Sequence, residues 1–242
     1  MTRAVLLKKI GSSLKRRGAT GTIKRGIAVI RDVTKTQLQH CINGVECLVV
    51  RMQRSPAATF SLGDQKFFYL YHPYNRTWEN ERAIEVSIAR KLLEASHKKG
   101  QQILEVGNVL NHYCDIPHTV VDFYERGRRI INEDIVNFSP RNSYDLIISV
   151  STIEHIGYDT GEIPDADKSV RAIHKLKSLL KKGGIILLTF PMGYNSNLDS
   201  AVKTNPELFG ELRFFQKISS DNKWLEVDYR SGILARYGSP YK

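Results

Sequence analysis

The stretch ILEVGNVLNHY, residues 103–113, decides how this chain is read. Ile103 to Val106 has the length and apolar character of a buried strand, and Gly107 ends it. An acid two residues before a glycine at a strand end commonly opens a nucleotide-binding loop. The glycines that should follow are missing, because Asn108, Val109 and Leu110 hold the turn. Those glycines normally let the backbone approach a pyrophosphate, so their absence argues against a dinucleotide. Only ten residues separate Gly107 from His118, so the helix expected after such a strand is short or absent.

Downstream, the pattern repeats as strand, connection, strand. HTVVDFYE (118–125), RIINEDIVNF (129–138) and YDLIISVST (144–152) carry the next three strands. A helix follows, started by Pro164 and Asp165, with Val170, Ile173, Leu176 and Leu180 on its inner face. Lys181 to Gly184 stop it, and IILLTFP (185–191) is a near-continuous apolar strand of the kind buried on both faces. ELRFFQKIS (211–219) and KWLEVDY (223–229) read as a closing β-hairpin. This alternation predicts a doubly wound α/β sheet.

Upstream, residues 72–100 predict a helix with Thr77 as N-cap, Ile84, Ile88 and Leu92 inside, and Gly100 as its end. Residues 45–71 look β-rich: VECLVVRM (45–52) and KFFYLYH (66–72) are strand-like, with LGDQ (62–65) a hairpin turn. The chain therefore divides into an arm (1–35), a small β-rich lead-in (36–78) and a main domain (79–242).

Charge is concentrated in the arm. Residues 1–35 hold ten Lys/Arg against Asp32 alone, nine of the eleven net positive charges. Leu6, Leu7, Ile10 and Leu14 share one sector of a helical wheel, with Lys8, Lys9, Lys15 and Arg16 roughly opposite. Such a segment can lie on an anionic membrane surface, grip nucleic-acid phosphates, or pack its leucines on the body. No apolar run approaches the roughly 20 residues of a membrane span. There is no secretory-signal pattern, and the three cysteines have no metal-type spacing, so reduced thiols in the cytoplasm are expected.

Ligands of an open α/β sheet sit beyond the carboxyl ends of its strands. The first strand ends at Glu105, Gly107 and Asn108. The second ends at Asp122, an acid placed to accept both ribose hydroxyls, and the third at Asp134 and Ile135. The fourth runs into STIEHIGYD (151–159).

In this order, ILEVGN, VVDFYE, NEDIVNF, YDLIISVSTIEHI and LLKKGGIILLTFP resemble the class I S-adenosylmethionine-dependent methyltransferases, over roughly Gly100 to Trp224. The resemblance implies a Rossmann-like seven-stranded sheet, mostly parallel with an antiparallel final strand, and S-adenosylmethionine as cofactor. It implies that Glu105 and Gly107, with Asn108 beside them, line the methionine side, and that Asp122 holds the ribose. Asp134 would face the adenine amino group, the Ile135 backbone would lie beside the ring, and Ser149 to Thr152, Ser151 included, would pass beneath the sulfonium. YHPYNRTWENERAIE (71–85), LEVGNVLNHY, STIEHIGYD and FPMGYN (190–195) also resemble poorly characterised predicted methyltransferases associated with cell-surface glycan synthesis.

Methyl transfer to a hydroxyl needs an aligned nucleophile and a base. His155 suits that role, because the histidine side chain is the one that serves most often as a base near neutral pH. Glu154 orients it or competes with it, and Asp159 stands in reserve; the histidine can equally cap the following helix. No Asn/Asp-Pro-Pro-aromatic sequence follows the fourth strand, which disfavours amide or adenine N-methylation. Tyr194 and Asn195 are candidates for the acceptor wall. Tyr71, His72, Tyr74, Asn75, Trp78 and Arg82 are candidates for either core or lid. The expected activity is O-methylation of a sugar or glycan-linked acceptor by a cytoplasmic protein, peripheral to a membrane through residues 1–35. An RNA methyltransferase using the arm, and a catalytically silent binding module of the same fold, are the other readings.

Overall fold

The structure is a computed structural model that describes residues 35–54, 57–159 and 164–238. Apart from Lys35, the basic arm lies outside the described residues. Helix α1 (residues 35–53) is followed by a hairpin of β1 (Thr59–Leu62) and β2 (Gln65–Phe68), then α2 (Arg82–Lys98). The central strands are β3 (Ile103–Val106), β4 (Thr119–Val121), β5 (Ile130–Ile131), β6 (Tyr144–Val150) and β7 (Leu180–Thr189), with α3 (Lys168–Leu179) before the last. The chain closes with α4 (Ser196–Thr204), β8 (Phe214–Lys217), β9 (Trp224–Val227) and the short α5 (Tyr229–Ile233).

The central sheet has the order β5-β4-β3-β6-β7, and every pairing in it is parallel. Its order reverses between β3 and β6, which places the ligand crevice at their carboxyl ends. Successive side chains alternate between faces. Ile103, Leu146, Ile148 and Val150 pack with Val86, Ala89 and Leu93 of α2. Leu104, Val106 and Ile147 pack with Ala172, Ile173 and Leu176 of α3. The inner strands β3 and β6 are thus covered on both faces and read as continuous apolar runs, whereas β7, expected to be buried in the same way, is an edge strand with no fully buried residue and with Ile185 exposed. The connection from β3 to β4 holds a single 3-10 turn, Leu110–His112, because only ten residues separate Gly107 from His118.

Three expectations need correction. The central sheet has five strands among the described residues, not seven, and no antiparallel final strand. The 214–227 pair forms a hairpin of its own, packed through Phe215 and Trp224 onto Phe60 and Phe67 of the first hairpin and Ile84 and Ile88 of α2. The Tyr69 hydroxyl fastens it, accepting from the Trp224 N–H at 2.9 Å and donating to the Trp224 carbonyl at 3.3 Å. VECLVVRM lies within α1 rather than a strand. Its apolar residues follow a helical repeat, and buried Cys47 turns inward from the opposite face, so packing overrides the β preference of the valines. Thr77 does not cap α2, which starts five residues later. It is fully buried, donating to the Leu70 carbonyl at 2.6 Å and accepting from the His72 N–H at 2.8 Å.

Among the described residues, no helix is long and apolar enough to cross a membrane.

Candidate active site

A cleft of ≈ 540 Å³ opens at the carboxyl ends of β3, β4, β5 and β6. That size is in the range of small-molecule and cofactor sites. Its floor is the turn after β3. Gly107 has φ +85°, and a β-carbon there would overlap the Thr152 hydroxyl and lie 2.7 Å from its Cγ2. The residue is glycine for both reasons, its backbone region and this close approach.

The next three N–H groups are all spent inside the protein. Asn108 donates to Asp122 Oδ2 at 2.9 Å, while Val109 and Leu110 donate to Glu105 Oε1 at 2.9 and 2.6 Å. Glu105 Oε2 lies 2.6 Å from His118 Nε2, and both side chains are fully buried. The other His118 nitrogen lies 2.6 Å from the Ile116 carbonyl. Burial alone would lower the His118 pKa; the hydrogen bond and charge of Glu105 overcome it and leave the imidazole raised above its ordinary value. Glu105, expected on the methionine side of the cofactor, is therefore not among the residues that line the cleft. Alternation puts it on the α2 side of the sheet, where it replaces a glycine-rich loop as the anchor of the turn.

Five of the eight expected cofactor residues line the cleft: Gly107, Asn108, Asp122, Asp134 and Ile135. Asp122 accepts from three backbone N–H groups, those of Asn108, Tyr124 and Glu125. Asn108 also donates from its amide to Glu125 Oε2 at 2.6 Å. Asp134 pairs with Lys168 at 2.8 Å, and that ammonium sits 5.7 Å over the Phe123 ring. With Glu125 and Glu133 also in the lining, the rim on this side is acidic.

Ser149 and Ser151, like Glu105, are absent from the lining. Ser149 is fully buried, its hydroxyl without a hydrogen-bond partner among the described residues. Ser151, at φ +37°, donates to the Glu85 carboxylate at 2.9 Å and sits behind the wall. Thr152, the next residue, is the one presented to the cleft.

After β6, His155 and Asp159 both line the cleft. His155 Nδ1 lies 2.5 Å from Asp159 Oδ2, and the Tyr194 hydroxyl donates to Asp159 Oδ1 at 2.9 Å. Burial, then the bond and charge of Asp159, push the Tyr194 pKa up to about 12, so it remains a phenol and a donor. With Asp159 accepting at Nδ1, the proton of the neutral ring sits there and the lone pair falls on Nε2. Asp159 is thus in direct contact with His155.

Glu154 is 1% exposed, its Oε1 3.7 Å from His155 Nε2 and its Oε2 without a hydrogen-bond partner among the described residues. Burial pushes its pKa up to about 8, so it is largely protonated at neutral pH. Glu154 is not among the residues that line the cleft. Asn195 also lies outside the wall. It caps α4 through the Asn197 and Leu198 N–H groups, and its amide donates to the Glu154 carbonyl at 2.8 Å.

The opposite wall comes from the segment before α2. Tyr74, Asn75 and Arg82 line the cleft, and Tyr74 stacks on His112 with ring centres 4.1 Å apart. Trp78 is core. Arg82 pairs with Glu85 at 3.2 Å, one turn along α2. Burial raises the Glu85 pKa against the opposing charge of Arg82. Sequence reasoning missed Glu85, His112 and Tyr113; the i,i+3 spacing of Arg82 and Glu85 was the available signal. Among the described residues, no group of His, Cys, Asp and Glu could hold a metal ion.

An open parallel sheet reversed at β3 and β6, a glycine-limited turn and a cleft at that reversal define a Rossmann-like α/β domain. Residues 98–226 match the family described as DUF268, Caenorhabditis protein of unknown function, and the chain belongs to that family. No protein of curated function matches the chain. Three solved structures are similar to it. An S-adenosylmethionine-dependent methyltransferase from Clostridium acetobutylicum ATCC 824 is 15% identical over 54% of this chain and 56% of its own, with a TM-score of 0.32. The sugar N-methyltransferase KedS8 from Streptoalloteichus sp ATCC 53650 is 15% identical over 59% of this chain and 62% of its own, at 0.34. The N-methyltransferase NodS from Bradyrhizobium japonicum WM9, in complex with S-adenosyl-L-homocysteine, is 17% identical over 62% and 91%, at 0.37. The chain thus spans less than two thirds of the first two.

Proposed function

We propose that this protein is an S-adenosylmethionine-dependent methyltransferase that methylates a hydroxyl of a sugar or glycan-linked acceptor. One observation carries the choice of cofactor. The N–H groups of Asn108, Val109 and Leu110 are already committed to Asp122 and Glu105, so the turn has none of them left to cradle a pyrophosphate. The rim around it is acidic, which suits a cationic, phosphate-free ligand. Asp122 is the residue for the ribose, Asp134 and Ile135 for the adenine edge, and Gly107 with Thr152 for the methionine side. S-adenosylmethionine, when bound, supplies a methyl group on an electrophilic sulfonium.

The chain's own part is alignment and proton removal. His155 Nε2 takes the proton of the acceptor hydroxyl, and Asp159 holds the opposite nitrogen and stabilises the imidazolium that forms. Tyr194 fixes Asp159 in turn. Aromatic faces of Tyr74 and Phe123 beside the cleft, with Tyr194 and Tyr158 in contact behind His155, suit a sugar acceptor better than a charged polymer. The three free thiols fit a cytoplasmic setting.

The test is transfer of labelled methyl from S-adenosylmethionine to a panel of glycans and RNAs. Label on a carbohydrate oxygen, lost in His155→Ala, is the expected result. Label on RNA alone, or none on any acceptor by a protein that binds the cofactor, would contradict the acceptor assignment.

A further inference from the structure

Helix α1 carries an apolar face that nothing in the described structure covers. Leu38, Ile42, Val45, Leu48, Val49 and Met52 are all exposed, Leu38 by 63% and Met52 by 87%. At 100° per residue they fill a sector about 120° wide, along a helix about 28 Å long. The helix is nonetheless fixed to the body by its other side. Cys47 is buried, Asn43 donates to the Pro73 carbonyl at 3.4 Å, and Glu46 pairs with Arg76 at 3.2 Å. Arg54, just past its end, donates to the Trp78 carbonyl at 3.0 Å. The exposed face is therefore a held surface of the folded protein.

We propose that this face of α1 docks on an anionic lipid bilayer surface. Two features favour a bilayer over a second copy of the chain. Residues 1–35, leading directly into α1, hold nine of the eleven net positive charges. Basic residues near an anionic surface contribute about 1 kcal/mol each, whereas in a dimer like charges would be brought together. The apolar residues at 38, 42, 45, 49 and 52 do have heptad spacing, but the flanking positions, Gln39, Cys41, Glu46, Leu48 and Gln53, offer no complementary charge pairs. Leu48 also widens the face beyond a two-helix seam. The inner contacts of α1 fall on residues 73–78, the segment that supplies Tyr74 and Asn75 to the cleft. Docking thus leaves only α1 between the membrane and the element that forms one cleft wall. This inference stands independently of the methyl-transfer reading.

The experiment is flotation of the full-length protein with vesicles of phosphatidylcholine alone or with phosphatidylserine, at low and high salt, with light scattering in parallel. Flotation only with phosphatidylserine vesicles, weakened by salt, is expected. The L38Q/V45Q/M52Q variant should bind at least about tenfold less while its melting temperature is unchanged. K8Q/K9Q/K15Q/R16Q should lose binding at low salt. Absence of flotation, or undiminished flotation of L38Q/V45Q/M52Q, overturns the proposal. So does conversion of a dimer to a monomer by that variant without flotation, which assigns the face to a second copy. A large loss of thermal stability in it assigns the face to residues 1–34 of the same chain.

Discussion

Gly107 and Thr152 meet across the reversal in strand order with no room for a β-carbon between them. The contact joins the turn after β3 to the segment after β6, and both line the cleft. Gly107→Ala combines a left-handed backbone with a steric overlap. It should cost roughly 2–4 kcal/mol in chemical denaturation. A change within about 0.5 kcal/mol, the range of an ordinary surface substitution, would show that the turn is not built on this contact.

Glu105 and His118 form a buried pair that holds the same turn from below. Glu105→Gln strands the imidazole and weakens two backbone hydrogen bonds, at a cost of about 3–5 kcal/mol. The sign of the pH effect follows from the raised His118 pKa. This pair's stabilisation is complete below the unfolded value of about 6.5 and is lost as pH rises through the higher folded value. Urea melts across that window should slope downward in the native protein and flatten in Glu105→Gln.

Glu154 contributes a second slope of the same sign. Its pKa moves from 4.5 to about 8 on folding, so stability declines as pH climbs between those values. The whole effect is on the order of a few kcal/mol. Glu154→Gln keeps the shape, removes the charge, and should be more stable than the native protein at pH 8 but not at pH 4. Identical pH profiles for the two proteins would refute the assignment.

Asp159 should act on rate rather than on cofactor binding. Asp159→Asn disturbs the proton placement on His155 and should lower kcat about 10²–10⁴-fold, with the affinity for S-adenosylhomocysteine little changed. Tyr194→Phe removes a neutral donor to Asp159 and should cost only about 2- to 10-fold. An equal loss in both variants, or a loss of cofactor affinity in either, would mean the cluster supports the pocket rather than the proton transfer.

The parallel core was legible because its inner strands β3 and β6 are buried on both faces and leave apolar runs of strand length. The seven-stranded sheet was not, because residues 214–227 have a hairpin pattern that does not say which surface it covers. Here aromatic packing on Phe60 and Phe67 took it away from the main sheet. VECLVVRM was misread because a short apolar run carries both periods, and only the spacing from Leu38 to Met52 reveals the helix. At the site, the positions of Gly107, Asp122, Asp134 and His155 followed from strand ends alone. The side of the sheet that Glu105 faces did not, since β3 is buried on both sides and its alternation is invisible. Asp159 reaching back to His155 was present as an i,i+4 spacing, but the contact of Tyr194 with both came from the segment after β7 and needed the fold.

The central claim is that the cleft takes an adenosyl cofactor and not a dinucleotide. Calorimetry of the full-length protein with S-adenosylhomocysteine and, separately, with NAD tests it most directly. The account predicts saturable one-site binding of S-adenosylhomocysteine, weakened in Asp122→Ala, and no heat with NAD. Absence of binding to S-adenosylhomocysteine, or binding of NAD in its place, would contradict it.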